Sequence, residues 1–103
     1  MRVLPVLFLL ASVPAARAAD VSIEQANHAF SQSAVALSAG DALVMHNDDG
    51  TVHNLSVIDE DGDPQDLGLQ QPGKTLRIQF ANAGRFTVRC ALTPGMKMTV
   101  NVH

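Results

Sequence analysis

Apolar and polar residues alternate along most of this chain in short runs. Over residues 75–80, Leu76, Ile78 and Phe80 fall on one side and Arg77 and Gln79 on the other. Over 85–90, Phe86, Val88 and Cys90 oppose Arg85, Thr87 and Arg89. Over 96–102, Met96, Met98, Val100 and Val102 oppose Lys97, Thr99 and Asn101. Successive side chains of an extended chain point to opposite faces, so a period of two predicts half-buried strands. The same reading places strands at 52–58, where His53, Leu55 and Val57 share a face, and at 42–46, where Leu43 and Met45 point inward. Two more are predicted around Val35 and Leu37 and at 21–25.

The breaks are rich in Gly, Asp, Asn and Pro, the residues of turns. Ala83-Gly84 is expected to join 75–80 and 85–90 as a hairpin. Residues 59–73 lack the period. They read as a long connection with turns at Asp61-Gly62 and Pro72-Gly73, holding one short strand or a helical turn near 66–69. Residues 23–29 have too few apolar positions at helical spacing to form an independent helix. Seven strands with one long crossover predict an all-β fold, a Greek-key sandwich of two sheets.

The first 18 residues change the picture of where this domain works. Arg2, an apolar run over 3–11 broken by Pro5, and the small-x-small triplet Ala16-Arg17-Ala18 form a secretory leader pattern. The apolar run falls well short of the roughly 20 residues a membrane span needs. Cleavage after Ala18 leaves one domain, 19–103, in the periplasm. It keeps Lys74, Arg77, Arg85, Arg89 and Lys97 against ten acidic residues, a net charge of −5. That balance argues against nucleic acid and anionic membrane surfaces as partners. The acidic clusters at Asp48-Asp49 and 59–66 read as solvated loops. No nucleotide-binding glycine pattern is present, and no acid–base pair points to an enzyme. A monomer is expected.

Chemistry enters with Cys90, the only cysteine. A thiol that has no intramolecular partner is unusual in an oxidising compartment. It opens the run C-A-L-T-P-G-M-K-M, which ends at Met98. His53, Cys90 and Met96 all have core parity near the ends of their strands, which gathers them at one rim. Taken singly, each is an ordinary core or strand residue. Together, imidazole, thiolate and thioether are the donor set of a copper centre.

The ordered motifs carry a resemblance. They are F-S-Q from Phe30, G-D-A-L-V-M-H-N-D-D-G-T-V-H-N from Gly40 to Asn54, and P-G-K-T from Pro72. F-A-N-A-G-R-F-T-V-R-C from Phe80 to Cys90 and P-G-M-K-M-T-V from Pro94 complete the set. The chain resembles the cupredoxins of the plastocyanin, pseudoazurin and amicyanin type. The resemblance implies one copper ion held by His53, Cys90 and an axial Met96, with Met98 the alternative at the longer spacing. It implies that Asn47 ties the ligand loops together. The family's second histidine, three residues after the cysteine, falls here on Thr93, a poor ligand.

Other histidines are weak substitutes. His46 is the nearest extra candidate, but the inward Leu43 and Met45 turn it outward. His103 lies roughly 23 Å beyond Met96 at about 3.3 Å per residue, and His28 is unplaced. The implied function is a single-electron carrier with an altered centre, working with a redox partner protein. The alternative is a Cu(I) carrier, store or sensor exchanging metal with a copper-trafficking protein. A third reading is a metal-free sandwich.

Overall fold

A computed structural model describes residues 17–103; most of the leader, residues 1–16, lies outside the described residues. Within them the chain forms nine strands: β1 (Asp20–Ala26), β2 (Ala29–Phe30), β3 (Ala34–Leu37), β4 (Ala42–Asn47), β5 (His53–Ile58), β6 (Pro64–Gln70), β7 (Thr75–Gln79), β8 (Gly84–Cys90) and β9 (Lys97–Val102). One sheet has the order β2-β1-β4-β7 and the other β3-β9-β8-β5-β6. The β1–β4 and β3–β9 pairs are parallel and the rest antiparallel.

The inward positions of the alternating runs meet between the sheets. Ile23, Leu43, Met45, Leu55, Val88, Met98 and Val100 are fully or almost fully buried there. Removing this apolar surface from water is the main favourable contribution to folding, and it is what fixes each strand's register.

Two expectations need correction. Residues 59–73 are not mainly a connection, because β6 pairs along β5 from His53↔Gln70 to Ile58↔Pro64. β6 is an edge strand that buries only Gln70 fully, so it shows no apolar period. With the two-residue β2, this raises the count from seven strands to nine. Residues 75–80 and 85–90 do not form a hairpin either. β7 pairs with β4 and β8 with β9 and β5. The chain therefore crosses between sheets over residues 80–83, where the Phe80 and Phe86 rings pack 5.3 Å apart. β1 stays extended to Ala26, in keeping with the sparse apolar spacing over 23–29.

Strand directions bring one end of the sandwich into focus. β1 and β4 run parallel and end at Ala26 and Asn47, while β5 begins, β8 ends and β9 begins at the same rim. Beside His53 the β5–β6 register shifts between Asn54 and Ser56. β6 accommodates the extra residue with Gly68 at φ +83°. Such a bulge bends its strand and increases the local twist.

Candidate metal centre

His53 opens β5 and is wholly buried. Cys90 closes β8, buried, with a free thiol. The inward parity read from the sequence puts both side chains between the sheets, and His53 Nδ1 lies 3.2 Å from Cys90 Sγ. Met96 is buried just before β9. The Cys90 N–H donates to Met96 O at 3.0 Å and the Met96 N–H to Thr93 O at 3.1 Å, closing a tight loop. Met98 is buried one alternation further along, opposite Val88.

Three ionisable groups at this rim hold one another. Burial pushes the Cys90 thiol up, but N–H groups of Asn54 and Leu92, the His53 ring and the Thr93 hydroxyl outweigh it and bring the thiol below its ordinary value. Burial pushes the His53 ring down, but Cys90 and Asp49 on either side outweigh it and raise it. Burial likewise pushes Asp49 up, against the larger combined effect of bonds from the His53 ring and the His28 and Asn27 N–H groups. Each group holds its neighbours toward their charged forms.

Asn47 fastens the loop before His53. Its Nδ2 donates to Thr51 O at 2.9 Å and to Gln70 O at 3.0 Å, and its Oδ1 accepts from the Asp49 N–H at 3.0 Å. These bonds tie that loop to β6 rather than to the loop after Cys90. The link between the two ligand strands is instead made by Asn54, whose O accepts the Ala91 N–H at 2.9 Å.

The donors fit a soft metal ion. A thiolate about 2.3 Å and an imidazole about 2.0 Å from one tetrahedral ion stand about 3.5 Å apart. The 3.2 Å separation needs only a small opening. Thr93 is among the groups that bring the Cys90 thiol down.

The remaining histidines fall into place. His46 Nδ1 lies 3.1 Å from Thr75 Oγ1 on the outer face, turned away from the rim as expected. His103 is exposed at the far end of β9, with its N–H donating to Leu37 O. His28 sits in the β1–β2 turn with its ring 6.1 Å from that of His53, edge to face.

Asp49 corrects the reading of Asp48-Asp49 as a solvated loop. Its side chain is about one-tenth exposed and accepts from His53 Nε2 at 2.7 Å. The available signals were the spacing of four between Asp49 and His53 and the Asn27-His28 pair between two short extended runs.

No family model matches the chain. Over 63 residues, 61% of its length, the chain is 36% identical to the methylamine utilization protein MauL of Methylorubrum extorquens. That match spans 55% of the relative, so the chain accounts for about half of its length. Among solved structures, a Cu(I) form of an amicyanin variant superposes with a TM-score of 0.74 at 15% identity, over 82% of both chains. A purple cupredoxin from Nitrosopumilus maritimus superposes with a TM-score of 0.70 at 20% identity, over 82% of this chain and all of that one.

Proposed function

We propose that this chain, which has the cupredoxin fold, is a periplasmic copper protein that carries single electrons through a centre altered at Thr93. The observation that carries the proposal is the buried meeting of His53 Nδ1 and Cys90 Sγ at 3.2 Å. His53, Cys90 and Met96 are the proposed ligands, with Met98 the alternative to Met96. Copper bound there supplies a Cu(I)/Cu(II) couple, for which thiolate, imidazole and thioether are suitable donors.

The chain's own residues prepare the centre. The N–H groups of Asn54 and Leu92 and the Thr93 hydroxyl stabilise sulfur as thiolate, the form that binds metal. Nε2–H donates a hydrogen bond to Asp49 Oδ2, which leaves Nδ1 as the nitrogen that faces inward. Asn47 holds the loop in front of His53.

Two further features support the reading. Leu69 and Leu92 are the exposed large apolar side chains among the described residues, and both flank the rim. Leu69 pairs with Asn54 and Leu92 is two residues past Cys90. A redox partner protein could seat on them. Among the described residues, hydrogen bonding begins at Ala19, whose N–H donates to Asp41 Oδ1 at 2.8 Å and whose O accepts the Ala42 N–H. That agrees with a leader removed after Ala18.

Thr93 favours one second reading, a Cu(I) carrier, store or sensor, because a centre lacking its second imidazole is soft and low-coordinate. Voltammetry of the copper-loaded protein, alongside competition for Cu(I) with a chelator, separates the two. Electron transfer predicts a reversible one-electron wave. Tight Cu(I) binding without such a wave would assign the protein to copper handling.

A further inference from the structure

The His53 ring presents its two nitrogens to different chemistry. Nδ1 meets the Cys90 sulfur, while Nε2 meets Asp49 Oδ2 at 2.7 Å. Beyond Asp49 stands His28. One ligand atom from each of His28, Asp49 and His53 lies within 4.8 Å of the other two. The set runs inward from the surface: His28 is exposed, Asp49 partly covered and His53 buried. Two imidazoles and a carboxylate are nitrogen and oxygen donors suited to borderline divalent ions.

The turn that carries His28 adds a separate observation. Ala26 pairs with Ala29, leaving Asn27 and His28 as a two-residue loop. Their φ values are +53° and +58°. Such a primed turn favours Asn followed by Gly, because the second position is left-handed. A histidine there works against the local backbone preference. In exchange, the turn sets the His28 ring against His53 and its N–H 3.1 Å from Asp49 Oδ2.

We propose that His28, Asp49 and Nε2 of His53 form a second metal site, open to solvent, for a divalent ion of the Zn2+ or Cu2+ class. The ion replaces the proton shared by Nε2 and Asp49. Donors about 2.1 Å from one ion stand about 3.4 Å apart, so the Nε2–Oδ2 pair opens slightly and the exposed His28 ring swings in. The remaining ring proton then sits on Nδ1 and bonds the Cys90 sulfur. A neutral imidazole offers one lone pair at a time, so an ion in this site excludes one at Nδ1. Only this exclusion rests on the proposed copper function; the site itself adds His28, which the thiolate centre does not use, and makes Asp49 a ligand rather than a partner that orients His53.

Zn2+ calorimetry on Cys90→Ala, which lacks the thiolate, tests the site. One Zn2+ is expected to bind, and adding His28→Gly should weaken binding on the order of 100-fold. Glycine suits the turn, so the fold should persist, and thermal unfolding of each variant checks this. Histidine-ring NMR of Cys90→Ser, in which no thiolate competes for the His53 ring, gives a second readout. Zn2+ should shift the His28 and His53 ring signals together. Equal affinity with and without His28, no Zn2+ uptake by Cys90→Ala, or an unmoved His28 ring would overturn the proposal. Failure of the wild type to form a thiolate–copper band would sink the copper function alone.

Discussion

At the scale of single residues, Thr93 decides what kind of centre this rim can hold. Its hydroxyl supports the Cys90 thiolate, but it leaves the proposed centre with one imidazole. Thr93→His should add the second nitrogen donor, and the copper-loaded variant should absorb visible light more strongly than the wild type. An unchanged spectrum would mean that Thr93 is not at the position the resemblance assigns to it. Asp41 makes a different residue-level contribution. Its carboxylate accepts the Ala19 and Ser38 N–H groups at 2.8 and 2.9 Å, bonds that hold it below its ordinary value of 3.8. A lowered carboxylate stabilises the fold fully above its unfolded value and loses that contribution as pH falls through its folded one. The stability gap between wild type and Asp41→Asn should therefore shrink as urea unfolding is repeated below about pH 4. A gap that stays constant into acid would remove the carboxylate from the account.

At the scale of elements, legibility followed burial. Strands with one buried face announced themselves, and the shared parity of His53, Leu55 and Val57 correctly turned the imidazole inward. Edge strand β6 did not, because a strand solvated on most of its length needs no apolar alternation. Asp49 was only weakly marked, for a related reason. An acidic pair in a loop looks the same in sequence whether solvent or an imidazole meets it. The Ala83-Gly84 pair marked the break between β7 and β8, but turn chemistry is local and says nothing about which sheet each flanking strand joins. The bulge in β6 gives this scale its own prediction. Gly68 has φ +83° with open space where a Cβ would stand. The cost of Gly68→Ala is therefore conformational rather than steric, about 1 kcal/mol or more. Chemical unfolding should show that loss, and a neutral result would mean the bulge relaxes.

At the scale of the whole molecule, the two sheets bring distant parts of the chain to one rim. His53 and Cys90 are 37 residues apart in sequence and 3.2 Å apart in space. The same imidazole faces sulfur on one side and a carboxylate on the other, so the account requires copper to choose between them. X-ray absorption at the copper edge, on protein loaded with one equivalent, reads that choice directly. The proposed centre predicts a sulfur scatterer at about 2.3 Å or slightly less, together with nitrogen, and its disappearance in Cys90→Ser. A first shell of nitrogen and oxygen alone in the wild type would contradict it.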